Sequence, residues 1–539
     1  MSGTITTADG PRRDAGAPQP ERRTGRFNPV TAVIVIATFL ALALRVYYQY
    51  TRSGFLLGVN EYDDGPYFGS AVRLVHGVLP YRSFIFVQPP GITLLMSPVG
   101  LLTRVIGTAW GLAIGRVLTV LASTAGVVLA GLLVRHRGLL AVIVTCGAMA
   151  VYPDSVAAAH TVLVEPWLVL FCLIGAVAVF DGDRLAGPRR LAWGGVAFGF
   201  AGAVEPWAIV PVIVVFALCL PHVRRAAAFA AGAAAGFLVP VLPFAALAPR
   251  QFYQSLIVAQ VGHRASSGRV GLWVRIQQMA GLSHLNNPSH ATLLAAVLVL
   301  VVFVAGALGV ASLVTRRLPS ALDWFAVLTA VLVVAMLLWP RQFHYHFSAF
   351  LAPFLGLAIA LPAASVVAGA QPLGGMRGTG RWLGRSAVGL AGVVLVVLAA
   401  VQVSSESAGA NVIGPIPSAI DRIIPPGSCV LTDQVSLTIL ANRFVSDVPG
   451  CSQMDDGLGT DLALSQGLTP ATGAGRVPAV AATWRAAFGH AQYVWLSREN
   501  HRRIAWTPAL RAYFHNNFVE VFRSGTRDTL YARIGLRTR

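Results

Sequence analysis

The chain contains no lysine. All 41 of its basic residues are arginine, set against 22 acidic residues, for a net charge of +19 over 539 residues. Charge of either sign is scarce at 12% of residues, while 55% are apolar. That composition excludes a disordered chain and an ordinary soluble domain, and it reads as a multi-span membrane protein. A positive balance of this size can signal nucleic acid. Here many of the arginines sit in short loops between apolar runs, as the positive-inside rule expects, and the distribution argues against a nucleic-acid partner. With the heavy use of Ala, Gly and Val, the missing lysine looks like high-GC coding bias. Cysteine is sparse too. Cys146, Cys172 and Cys219 lie inside apolar runs and read as packing. Cys429 and Cys451 fall in the polar C-terminal part, where a disulfide is expected if that part is extracytoplasmic. No small-residue cleavage site follows the first apolar run, which is also too long for a signal-peptide core, so it reads as an uncleaved anchor. There is no phosphate-binding glycine loop, and a soluble nucleotide-sugar site is not called for.

Runs such as Pro29–Tyr50, Trp110–Val134 and His290–Val314 reach the roughly 20 apolar residues of a bilayer-crossing helix. Arginine clusters recur between the runs and, taken as cytoplasmic, require an even number of crossings between neighbours. In the stretch Leu191–Leu220 the pair Glu205-Pro206 stands at the midpoint. A carboxylate at the bilayer centre costs roughly 2.5–3.5 kcal/mol, and Pro disfavours helix at the residue before it. A hairpin with Glu205 at its outer tip relieves both. The same logic yields eleven spans, near 29–50, 110–134, 138–152, 160–180, 190–204, 206–220, 225–247, 291–314, 320–339, 347–366 and 387–404. Gly91–Leu102 is too short to cross and suits a helix lying in the interface.

The expected organisation is therefore a disordered cytoplasmic N-terminus (1–28), a mainly α membrane core (29–404) with a first extracytoplasmic loop at 51–109, and an outer domain (405–539). The tail alternates strand-like pieces (CVLTD, AQYVWLS, FVEVF, TLYARI) with helix-like ones (VSLTILANR, AVAATWRAAFGH), which predicts a small α/β domain.

Acid groups collect where the first span ends: Glu61, Asp63 and Asp64, followed by Tyr67, Arg73, Arg82 and Gln88. Asp154, His160, Glu165, Glu205, His263, Arg264, Arg341, His344 and His346 join them on the same predicted face. Ionisable groups at span ends make a functional site the first hypothesis, although interfacial loops are polar in any case. Val-Glu-Pro-Trp occurs at both 164–167 and 204–207, where Pro and Trp suit the position but Glu is less well explained. Arg341-Gln-Phe-His-Tyr-His346 offers cations to a phosphate, and its His-x-His leaves a divalent cation or plain interfacial packing open as well. Two adjacent carboxylates repel, so one of Asp63 and Asp64 is suited to take a proton from a hydroxyl while the other caps the helix-like run that follows.

Asp63-Asp64-Gly-Pro-Tyr67, Ala71-Val-Arg73-Leu, Gly77-Val-Leu-Pro80-Tyr81-Arg82 and Gln88-Pro-Pro-Gly91 together resemble the first extracytoplasmic loop of GT-C glycosyltransferases. The nearest subgroup holds protein O-mannosyltransferases and the bacterial aminoarabinose and Rgt-like sugar transferases. Cys429-Val-Leu-Thr-Asp433, running on to Ala441-Asn-Arg443, is similar to the small outer domain of bacterial members. The resemblance implies a GT-C-like bundle, a polyprenyl-phosphate sugar donor and reaction outside the cytoplasmic membrane. The acceptor it implies is a hydroxyl, on a glycan, lipid or protein. It places Asp63 as the catalytic base, with Asp64 standing where relatives carry Glu. Many relatives have Lys where this chain has Glu205, which leaves Arg82, Arg264 or Arg341, with His346, to meet the leaving phosphate. The prenyl tail would lie beside the interfacial helix. A lipid transporter or flippase explains the spans and outer charges as well, but transporters gather such groups at mid-membrane. A non-catalytic scaffold of envelope assembly is the third reading.

Overall fold

Each apolar stretch marked out in the sequence is helical in the computed structural model, which describes residues 28–260, 270–283, 285, 288–340, 342–370, 379–406, 416–525 and 528–536. The first helix, α1 (Pro29–Tyr50), starts on Asn28, whose side chain accepts from the Val30 N–H, with Pro29 in the first turn. The segment after it folds into α2 (Asp64–Val75) and α3 (Gly91–Ile106). Then come α4 (Thr108–Val134), α5 (Leu139–Val151), the short α6 (Pro153–Ala158) and α7 (Glu165–Val179). A small hairpin of β1 (Phe180–Asp181) and β2 (Arg184–Leu185) leads into α8 (Pro188–Val204), α9 (Ile209–Cys219) and α10 (Val223–Leu247). The bundle continues with α11 (Pro249–Tyr253), α12 (Leu272–Met279), α13 (His290–Thr315), α14 (Ala321–Leu338), α15 (Ala352–Ala370) and α16 (Thr379–Glu406).

Among the described residues, seven helices are long and apolar enough to cross a membrane: α1, α4, α10, α13, α14, α15 with its preceding turn, and α16. Gly91–Ile106, Leu139–Val151, Glu165–Val179 and Pro206–Cys219 are shorter apolar helices. The helix of α8 stops at Val204 and Glu205 is extended (φ −150°, ψ 127°), so the break falls at the residue before Pro206.

Helices α8 and α10 approach each other through paired glycines, Gly195 and Gly199 on one, Gly232 and Gly236 on the other. A Cβ on Gly199 would stand 2.1 Å from the Ala233 carbonyl oxygen, and one on Gly232 would stand 2.0 Å from that of Ala192. This is the small-xxx-small contact by which membrane helices gain dispersion energy when no hydrophobic effect drives them together.

The C-terminal part is the α/β unit expected from its alternating pattern. Around a four-stranded sheet lie α17 (Ala419–Ile423), α18 (Val435–Leu440), α19 (Gly457–Leu464), α20 (Pro478–His490) and α21 (Pro508–Asn517). The strands are β3 (Val430–Thr432), β4 (Tyr493–Ser497), β5 (Phe518–Ser524) and β6 (Asp528–Arg533), in the order β3-β4-β6-β5. β3 and β4 are parallel, as a crossover through three helices allows, and the other pairs are antiparallel. Cys429, ahead of β3, is disulfide-bonded to Cys451.

This domain does not stand apart from the membrane part. Phe68, Val72 and Tyr81 of the segment after α1 share one hydrophobic core with Leu437, Phe444 and Trp495 of the tail. Gly65 and Gly69 sit one turn apart on α2 where the tail docks, with virtual Cβ positions 2.7 Å from the Ser436 nitrogen and 2.3 Å from an Asp455 carboxylate oxygen.

Gly199→Val is expected to separate α8 from α10 and abolish the monodisperse size-exclusion peak of the solubilised protein. Gly306→Ala on α13, whose Cβ would meet nothing within 4 Å, should leave the peak intact and gain up to about 1 kcal/mol of helix propensity.

Candidate active site

The two adjacent aspartates start one helix and have opposite fates. Asp64, the first residue of α2, has no exposed side-chain surface. Its Oδ2 accepts hydrogen bonds from Arg116 of α4 and from the Thr161 hydroxyl, both at 2.6 Å, and its Oδ1 accepts from the Ser436 hydroxyl of the tail domain at 2.5 Å. Arg116 is equally enclosed and also donates to Thr161 Oγ1 and the Leu56 carbonyl. Asp63 occupies the cap position of α2, yet its side chain makes no capping hydrogen bond, and 32% of it remains accessible. It sits in a crevice, part of its side chain accessible and protein groups packed around the rest.

Three elements face that crevice. His346, in the turn before α15, has its Nε2 3.9 Å from Asp63 Oδ2, an ion-pair distance with no direct hydrogen bond. Its Nδ1 is 2.8 Å from Glu165 Oε1 at the start of α7, which fixes the ring; the second Glu165 oxygen is buried and has no hydrogen-bond partner among the described residues. Glu61 accepts from the Tyr345 hydroxyl at 3.0 Å. Burial pushes the Asp63 carboxyl up to about 7; the charge of His346 pulls it back, while Glu61, Asp456 and Glu165 push it further.

Glu205 and Tyr67 close the same site. Burial and then the Glu165 charge raise Glu205 to about 8, and Tyr67 is held far above its ordinary value by burial, followed by Asp63, Glu165 and Glu205. Gln88 donates to the Tyr67 hydroxyl at 3.2 Å, and its own carbonyl accepts from Tyr81, a residue in the left-handed region (φ 65°). The Pro80-Tyr81-Arg82 turn thus delivers Gln88 to Tyr67.

Other candidates lie elsewhere. Arg73 turns to the tail, donating to Gln453 and lying over the Phe444 ring, and takes its place in the domain interface. Arg82 is exposed on the far side of its turn. His344 is exposed and stacked on His346, with ring centroids 5.6 Å apart. Arg264 and Arg341 lie outside the described residues, as does His263. No group of three His, Cys, Asp or Glu side chains among the described residues is arranged to hold a metal ion, so the His-x-His pair has no ready ligand set around it.

Several residues at the site carry no signal in a linear reading. A small cavity of about 130 Å³ beside Glu61 is lined by Tyr48, Arg52, Asn60, His160 and Tyr345. Arg52 lies over the Tyr48 ring, and an arginine at the outer end of the anchor helix was the one available clue. From the tail, Asp456 accepts from the Tyr62 hydroxyl at 2.8 Å, Arg503 lies over the Tyr62 ring, and Gln434 donates to the Glu61 carbonyl. No local pattern could have tied residues so distant in the chain to the first loop.

No family model matches the chain, and no curated protein sequence does so. The fold has solved counterparts. The crystal structure of ArnT from Cupriavidus metallidurans bound to undecaprenyl phosphate aligns with a TM-score of 0.56 at 15% identity, over 94% of this chain and 99% of that one. The apo structure of the same protein gives 0.57 at 16% identity, over 94% and 98%. At such identity the likeness is one of fold. Bundle and tail domain together share the fold of that protein, a many-helix core with an α/β tail as the sequence led one to expect.

Arg116→Met strands Asp64 as a buried, unpaired carboxylate and is expected to cost about 3–5 kcal/mol. Thermal unfolding of the solubilised protein should show the loss, and the further change Asp64→Leu in the same chain should restore part of it.

Proposed function

We propose that this chain is a membrane glycosyltransferase that moves a sugar from a polyprenyl-phosphate donor to a hydroxyl acceptor on an envelope glycan, a lipid or a protein. Its reaction takes place at the outer face of the cytoplasmic membrane. The observation that carries this reading is Asp63: a partly open carboxylate, poised near neutrality, opposite a histidine that a buried glutamate holds in place. Two further facts support it. The chain shares its fold with a protein crystallised with undecaprenyl phosphate. The Cys429–Cys451 disulfide suits an oxidising compartment for the tail.

In this mechanism the acceptor hydroxyl gives its proton to Asp63, and its oxygen forms a bond to the anomeric carbon of the donor. The bond from that carbon to the phosphate oxygen breaks, and polyprenyl phosphate leaves with the electron pair. His346, held in place by Glu165, faces the base and supplies the positive charge that favours its ionised form beside Glu61. Asp64 acts at one remove, as a positioning residue: tied to Arg116, Thr161 and Ser436, it fixes the helix start from which Asp63 projects. Arg52, on the cavity next to Glu61, joins Arg264 and Arg341 as a cation for the leaving phosphate.

Asp63→Asn should lower transfer from a radiolabelled polyprenyl-phosphate sugar by about 10²–10⁴-fold with expression unchanged. Full activity in that variant would remove the assigned base. Because Asp63 accepts a proton only when ionised, transfer should rise as pH climbs through about 7. In Glu61→Gln, which deletes one of the charges raising Asp63, the rise should move to lower pH. For orientation, a single cysteine at position 63 should react with a membrane-impermeant maleimide in intact cells; labelling confined to permeabilised cells would refute an outward-facing site.

A further inference from the structure

A second cavity, of about 830 Å³, lies at the other end of the bundle. Arg137 on its wall follows Arg116, the partner of Asp64, by 21 positions, nearly all of them along α4; at 1.5 Å per residue the two are about 30 Å apart along the helix. Asp183 stands similarly beyond the far end of α7 from Glu165. The cavity therefore faces the opposite side of the membrane from the carboxylate site.

Its charges are unequally matched. Arg137 donates to Asp183 at 2.6 Å and to Asp323 at 2.9 Å, and also to Ser320 and Ser365. That one arginine takes up both carboxylates lining the cavity. Arg184, Arg225 and Arg317 also line it, and none has a carboxylate within ion-pair distance among the described residues. They come from three separate connections: the β1–β2 hairpin, the start of α10 and the turn after α13. That last turn is made by Arg316 in the left-handed region (φ 52°), a conformation rare for a residue with a β-carbon. Much of the remaining wall is apolar, including Leu218, Leu308, Ala311 and Pro362, with His222, Ser312 and Thr315 as its other polar members. Helix α13, which supplies Leu308 and Ala311, buries only Leu293 and Ala311 along its whole length, so its apolar surface continues from the cavity out toward lipid.

An arginine-rich mouth over an apolar wall open to the bilayer is complementary to one class of molecule. We infer that this cavity binds the phosphate headgroup of an anionic phospholipid, with Arg184, Arg225 and Arg317 on the phosphate and the acyl chains along α13. Guanidinium groups pair with phosphate oxygens in a planar two-point fashion, and basic pockets between membrane helices recognise such headgroups. The site owes nothing to the transferase reading and stands or falls separately.

The test is native mass spectrometry of the full-length solubilised protein offered dioleoyl-phosphatidylglycerol and dioleoyl-phosphatidylcholine in equal amounts. The wild type should retain the anionic lipid in preference by about tenfold or more. The combined variant Arg184→Gln, Arg225→Gln, Arg317→Gln should lose that preference, and Arg317→Gln alone should weaken it. Arg189→Gln, an exposed arginine that does not line the cavity, should keep it. Equal retention of the two lipids by the wild type, or an undiminished preference in the triple variant, overturns the inference. So does displacement of the lipid by millimolar inorganic phosphate, which would make the ligand a soluble phosphate.

Discussion

The buried ion pair between Asp64 and Arg116 holds together everything the site requires. Its two charges are fully removed from water, a state tolerable only because every oxygen of the carboxylate is engaged and the guanidinium also meets a hydroxyl and a carbonyl. The partners come from the first outer segment, from α4, from the turn ahead of α7 and from the tail domain. One cluster of hydrogen bonds thereby locks four regions into a single arrangement. With α2 fixed at its first residue, the backbone of its neighbour Asp63 is held in place with it.

Around Asp63 the electrostatics are deliberately crowded. Glu61, Glu165, Glu205 and Asp456 all belong to the same region, with His346 as the opposing charge. Crowding of like charge inside protein moves a carboxyl toward neutrality, where it can take and return a proton near ordinary pH. Asp63, Glu165 and Glu205 surround Tyr67, which keeps its hydroxyl proton and remains a hydrogen-bond donor. The tail domain is part of this arrangement, since Asp456 and Arg503 hold Tyr62 and Gln434 holds the Glu61 backbone.

Much of this was legible in the linear chain, and the reasons are local. The extent of an apolar run and the Pro after Glu205 act over a few residues, and the helices and the break at Glu205 appear where those features lie. The strand pieces of the tail, such as Tyr493–Ser497 and Asp528–Arg533, carry a period-2 or fully apolar signal that needs no partner to be seen. The first-loop residues Glu61, Asp63, Tyr67 and Gln88, together with Glu165, Glu205 and His346, lie around one crevice. Arg73 does not join them, because the tail domain docks on its side of α2 and draws it into that interface. Asn60 and the contributions of the tail were invisible, since nothing near them in the chain announces what they face.

The sequence by itself determined that this is a many-helix membrane protein with acids gathered at one end of its spans, arginines at the other, and an α/β tail. Those are properties of composition and short-range period, written wherever hydrophobic length and charge occur. Only the tertiary structure decided which of two adjacent aspartates is sealed and which is open. That choice rests on Arg116, 52 positions from Asp64, and on Ser436, 372 positions away, and contacts so remote exist only once the chain has folded.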